Sequence, residues 1–168
     1  AGGSTRTKTH ELVCHLAQNT SLDPIPHLTC VGHTKEDITS ILDAYVEAGI
    51  DNILALRGDA PKAGSASGDY AYAADLIEAI HSHKGANFGV GVAGFPEGHP
   101  ETPNRLVQLD HLKQKVDKGV DWICTQLFFD NNAFLDWSEQ CELIGVDSPI
   151  IAGIMPITSI SGMQRMAE

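Results

Sequence analysis

The sequence predicts an α/β fold of parallel strands covered by helices. A (β/α)8 TIM-type barrel, incomplete here at about five β/α units of eight, is favoured over a doubly wound open sheet. Three observations predict it. Strand and helix signals alternate along all 168 residues with short connections. The strand runs are apolar on both faces, as in parallel sheets buried under helices. Polar residues gather just after successive strands: Thr29 and Cys30, Arg57 and Asp59, Glu97 and His99, Gln126 and Asp130. An open sheet that binds a dinucleotide carries G-x-G-x-x-G after a strand, and no strand end here has it. Chemistry collected from several strand ends is the barrel arrangement.

The elements follow in order. Residues 7–18 read as an amphipathic helix with Leu12, His15 and Leu16 on one face. "PHLTCV" (26–31) is a short apolar strand. Thr34, with Asp37 three residues on, opens a capped helix whose stripe is Ile38, Ile41, Leu42 and Tyr45, and Gly49 closes it. "NILALRG" (52–58) is the next strand, followed by the loop "PKAGSASGDY" and a helix over about 70–83. "FGVGVAG" (88–94) is a strand, "FPEGHPETP" a loop, and a helix runs over about 103–118 to Gly119. "DWICTQLFF" (121–129) is a strand, "NNAFLDWSEQCELIG" a helix and "PIIAGIMP" (149–156) a strand. The chain starts without Met and stops inside an apparent helix, so a fragment of a longer protein, 1–168 of one barrel domain, is expected.

Bulk properties exclude several classes. Eleven Lys+Arg against 22 Asp+Glu give a net charge of −11, which argues against a nucleic-acid partner. No apolar run approaches the roughly 18 residues of a membrane helix, and "AGGSTRTKTH" has no signal-peptide core. Cys14, Cys30, Cys124 and Cys141 show no C-x-x-C or metal spacing, so reduced thiols in a cytoplasmic protein are expected.

Four stretches could carry chemistry. In "ALRGD", Arg57 and Asp59 flank Gly58 at a strand end. They are either a loop-closing pair or a carboxylate facing a ligand. In "TQLFFD", alternation puts Gln126, Phe128 and Asp130 on one side. An inward amide needs partners, which either neighbouring backbone or the amide edge of a heterocycle supplies. "GFPEGHPE" holds Glu97, His99 and Glu101 without a well-spaced third metal ligand, leaving a rigid loop or a ligand contact. His111, Lys113 and Lys115 form a small basic patch on an acidic chain, either a solvated helix face or a site for phosphates. His81 and His83 read as solvated residues at a helix C-terminus, and His27 reads as structural on pattern alone.

Taken together, "PHLTC", "ALRGD", Tyr72–Asp75, Pro96–Glu101, Leu112–Gly119, "TQLFFD" and "GIMPI", in this order, resemble the methylenetetrahydrofolate reductase family across essentially the whole chain. The resemblance implies a (β/α)8 barrel with FAD at the C-terminal strand ends. Hydride would pass from NAD(P)H to the flavin, then to 5,10-methylenetetrahydrofolate, in ping-pong order. It implies FAD contacts at His27, Arg57, Gly58, Asp59, Ala73, Phe95, His99, His111 and Lys115, with Lys115 on the diphosphate. Asp59 would be catalytic and would also meet the folate. Its charge disfavours the anionic reduced flavin and makes that flavin a better hydride donor. Gln126 would bond folate and nicotinamide by turns. Phe95 stands where some family members carry tyrosine, Gln108 where aspartate is common, and Gln114 where arginine occurs in some members. The family's general-acid glutamate lies on the first barrel strand, and this chain begins after the second. A non-catalytic flavin- or folate-binding module, or an inactive fragment, is the alternative. A homo-oligomer and the choice of NADH or NADPH are left open.

Overall fold

The computed structural model describes residues 6–58, 68–85 and 87–167. Helix α1 (Arg6–Asn19) precedes five alternating units: β1 (His27–Thr29), α2 (Lys35–Ala48), β2 (Asn52–Leu56), α3 (Ala73–Ser82), β3 (Gly89–Gly94), α4 (Arg105–Val116), β4 (Trp122–Thr125), α5 (Asn131–Leu143) and β5 (Ile150–Ile151), with α6 (Ile160–Ala167) last. All neighbouring strands pair in parallel, in the order β1-β2-β3-β4-β5. Every crossover therefore steps the same way, and the order never reverses as it does in a doubly wound sheet. The result is a five-strand arc of a TIM-type barrel.

Register separates the two faces. Leu28, Ala55, Val92 and Ile123 lie side by side and are essentially inaccessible. They meet Ile38, Leu42 and Tyr45 of α2, Leu76, Ile77 and Ile80 of α3, Leu109 and Leu112 of α4, and Trp137 of α5 in one core. One residue on, the row Thr29, Leu56, Ala93 and Cys124 is only half-buried, and Ile151 beside them is exposed. This second face is the concave side of the arc. Gly91 lies on it because an added Cβ would stand 2.2 Å from the Trp122 ring.

The cap on α2 forms as the spacing predicts. Thr34 Oγ1 accepts from the Asp37 amide at 3.1 Å, Asp37 Oδ2 accepts from the Thr34 amide at 2.9 Å, and Gly49 ends the helix at φ 74°. The bond from the Thr34 backbone leads in holding the Asp37 carboxyl below its ordinary value. Thr34→Ala should therefore lower the thermal midpoint, reflecting a loss of about 1 kcal/mol. An unchanged melt would show that the box contributes nothing.

Several elements depart from expectation. Leu12 and His15 are exposed, and α1 instead packs through Val13, Cys14 and Ala17. His10 Nδ1 meets the buried Tyr45 hydroxyl at 2.5 Å, which sets the roll of α1 on α2. His83 is not solvated: its side chain is buried, with Nε2 3.2 Å from Asp43 Oδ1. His81 Nε2 bonds Gly119 O at 2.8 Å. β4 stops at Thr125 and β5 at Ile151, short of the apolar runs that contain them. All four cysteines are free, with Cys30 and Cys141 buried. No helix among the described residues is long and apolar enough to cross a membrane.

Candidate functional site

The C-terminal edge of the sheet brings together the ends of β2, β3 and β4. At the end of β2 the ladder to β1 runs past the assigned strands, with Cys30 N donating to Leu56 O at 3.0 Å and Val31 N to Arg57 O at 2.9 Å. Arg57 is thereby held by its backbone, while its guanidinium Nη1 lies 3.0 Å from Glu101 Oε2. Gly58 follows at φ 83°. A Cβ there would lie 2.9 Å from Thr29 Cβ, so backbone conformation and space both require glycine. Asp59, expected to be catalytic, lies outside the described residues. Ala73 opens α3 and is half-buried.

The loop after β3 is braced internally. Phe95 meets His99 edge-on, with ring centroids 4.6 Å apart. His99 Nδ1 accepts from the Glu101 amide at 3.1 Å, so a neutral ring carries its proton on Nε2. Arg105 Nη2 donates to Pro96 O at 3.0 Å, and Gln108 Nε2 donates to Thr102 O. Gln108 thus stitches this loop to α4.

At the end of β4, Gln126 N donates to Gly94 O at 2.7 Å, the last ladder bond of that strand. The chain then leaves the sheet, so the strand expected over 121–129 ends at Thr125 and the alternation expected in "TQLFFD" (125–130) does not form. Phe128 instead stacks on Phe134 of α5 at 4.8 Å. Gln126 is exposed at the edge rather than enclosed, and its Oε1 accepts from its neighbour Leu127 N at 3.0 Å. Among the described residues its amide nitrogen donates to none, so that donor is available to a ligand.

The expected basic patch does not form one surface. His111 is exposed on α4, Lys113 pairs with Asp117 one turn on, and Gln114 bonds Asp110. Lys115 turns inward, and its Nζ donates to Ala93 O at 3.1 Å. Burial without a counter-charge pushes its pKa down to about 8. A residue at the last turn of a helix points inward or outward by its angle about the axis, which neighbouring charges in sequence do not reveal.

His27 opens β1 and is exposed, in register with Leu54, Gly91 and Trp122. It stands about 10 Å below the edge where Cys30 and Gly94 lie, at roughly 3.3 Å per residue. Two contacts are not legible in the sequence. Glu97 Oε1 accepts from Phe129 N at 2.9 Å and Asp130 N at 2.8 Å. The buried Thr125 hydroxyl accepts from Gly153 N at 2.8 Å. Neither has a signal in local spacing, because each partner lies about 30 residues away. No group of three His, Cys, Asp or Glu that could hold a metal occurs among the described residues. A groove between α2 and α3, lined by Lys35, Leu42, Asp43, Glu78 and His83, belongs to the outer helical layer and not to the strand ends.

Comparison with known proteins bears on the family and the fold. The family model for methylenetetrahydrofolate reductase matches residues 1–168. "Methylenetetrahydrofolate reductase 2" of Saccharomyces cerevisiae is 42% identical over 173 residues, covering 99% of this chain and 29% of that protein. "Methylenetetrahydrofolate reductase (NADH) 1" of Arabidopsis thaliana is 41% identical, covering 99% of this chain and 30% of that one. The "5,10-methylenetetrahydrofolate reductase" of Escherichia coli is 36% identical over 168 residues, covering 100% and 55%. The chain thus spans between about a third and about half the length of these relatives.

Among solved structures, a Clostridium thermocellum protein described as binding two copies of 5-methyl-5,6,7,8-tetrahydrofolic acid superposes with a TM-score of 0.55 at 16% identity. The match covers 82% of this chain and 47% of that one. A 2,3-dimethylmalate lyase superposes at 0.60 with 9% identity, covering 96% and 62%. At such identities the superpositions speak for the fold alone. The family model spanning every residue, with relatives above one-third identity, establishes that this chain belongs to the methylenetetrahydrofolate reductase family.

Proposed function

We propose that residues 1–168 form part of the catalytic barrel of an FAD-dependent reductase. It would convert 5,10-methylenetetrahydrofolate to 5-methyltetrahydrofolate with NAD(P)H as co-substrate. One observation carries the reading: Arg57 and Gly58 at the end of β2 and Gln126 at the end of β4 share one edge of a parallel sheet, joined across by the braced loop after β3.

The residues present fit a flavin. Gly58 offers backbone without a side chain, Phe95 offers a half-buried ring, and Gln126 offers an uncommitted amide donor beside them. His99, with its proton on Nε2, has a donor to spare. When bound, FAD supplies a two-electron carrier that relays hydride between nicotinamide and folate. Arg57 and Asp59 would hold the flavin end, and Gln126 would orient the amide edge of whichever substrate occupies the face. Lys115 would serve the diphosphate after releasing Ala93 O, while His27, Ala73 and His111 would complete the cofactor's surroundings.

The test uses the full-length protein with FAD, mixed with NADH and separately with NADPH in the absence of oxygen. The flavin absorbance should bleach with at least one of them and return when methylenetetrahydrofolate is added. FAD bound but never bleached would overturn the reductase and leave a binding module.

A further inference from the structure

Glu97 has no part in the roles just assigned. Yet a single oxygen of its carboxylate accepts from two consecutive backbone amides, Phe129 N at 2.9 Å and Asp130 N at 2.8 Å. Bonds from N–H groups to an ionised acceptor are about twice as strong as neutral ones. Asp130 is also the N-cap of α5, its Oδ1 taking the Asn132 amide at 2.8 Å. The segment from Gln126 to Asp130 has left the sheet, so no strand partner orders its interior. It is held at one end by Gln126 N on Gly94 O and at the other by Glu97.

The anchor is itself fixed. Pro96 next to it is buried, and its carbonyl is held by Arg105. Further along the same loop Glu101 reaches Arg57. A carboxylate displaced here would release the short segment that begins with the exposed carboxamide of Gln126.

We infer that Glu97 is a positioning residue. By clamping the Phe129 and Asp130 amides it sets where the Gln126 carboxamide stands, and so tunes binding of both the nicotinamide and the folate substrate. The inference rests on the reductase reading, and deepens it by naming a group that acts through Gln126.

The experiment is steady-state kinetics and flavin content of full-length Glu97→Ala, Glu97→Gln, Gln126→Ala and the Glu97→Ala/Gln126→Ala double variant. Glu97→Ala should raise KM for both substrates about tenfold, with kcat changed by no more than about twofold and bound FAD unchanged. Glu97→Gln keeps a carbonyl acceptor of the same shape and should restore KM to within about threefold. If Glu97→Ala does not yield folded protein, the Glu97→Gln shift and its disappearance in a Glu97→Gln/Gln126→Ala double variant carry the test. In the Gln126→Ala background, removing Glu97 should add little, because the two act through one contact. Effects that multiply across the two sites, an unchanged KM, or loss of FAD from Glu97→Ala would each overturn the inference. A wild-type protein that fails to bleach would strike the reductase reading instead, which separates the two failures.

Discussion

Gly58→Ala is expected to destabilise the full-length protein by about 3 kcal/mol, through backbone strain of about 1–2 kcal/mol and overpacking of about 1–3 kcal/mol. Gly58 sits at φ 83°, where an L side chain crowds its own backbone, and its new Cβ would stand 2.9 Å from Thr29 Cβ. Thr29 cannot swing away, because that atom is attached directly to the β1 backbone and no rotamer moves it. Relief would come only by parting β1 from β2 at the strand end that presents Arg57. Gly49 provides the control: it has φ 74° but nothing within 4 Å of an added Cβ. Gly49→Ala should therefore cost only about 1–2 kcal/mol, the conformational part. Urea midpoints at constant slope measure both. Equal losses would show that contact with Thr29 is not limiting.

FAD affinity is expected to fall about tenfold per pH unit above pH 8, and Lys115→Met should abolish that slope. In the free protein, burial lowers the Lys115 pKa to about 8. A diphosphate beside the ammonium would favour the charged form and raise that value in the complex. Between the two values binding takes up a proton, so affinity is complete below pH 8 and is lost as pH rises. The stability of the free protein should follow the opposite trend. An unfolded lysine keeps its proton to an ordinary 10.5, so the unfolded state binds more protons between about 8 and 10.5 and stability rises with pH. The gain is roughly 3 kcal/mol at about 1.4 kcal/mol per unit. Fluorescence titration of FAD across pH 7 to 10, with and without Lys115, reads the first effect, and denaturation of the flavin-free protein reads the second. An identical pH slope in Lys115→Met would remove the lysine from the cofactor site.

The places where sequence reading failed share a cause. "TQLFFD" looks the same whether it continues a strand or leaves it. Only the last backbone acceptor on β3, Gly94 O, decides that pairing ends at Gln126. Leu12 and Leu16 suggested a buried stripe on α1, yet the position of α2 selected Val13, Cys14 and Ala17. Lys113 and Lys115 are two residues apart in sequence, but one pairs with Asp117 and the other reaches into the sheet. His83 reads as a solvated helix end until Asp43 from the preceding helix is placed beside it.

By itself the sequence determined the alternation of strands and helices, the capped helix start at Thr34, the glycine at the end of β2, and membership of a family, carried by motifs in fixed order. Those depend on local chemistry: apolar periodicity, short hydrogen-bonding caps and backbone freedom, all set within a few residues. The tertiary structure alone decided the one-directional strand order, the inward turn of Lys115 and the clasp of Glu97 on Phe129 and Asp130. These join groups 20 to 40 residues apart, and which partners meet is settled only when parallel crossovers bring the strand ends to one edge.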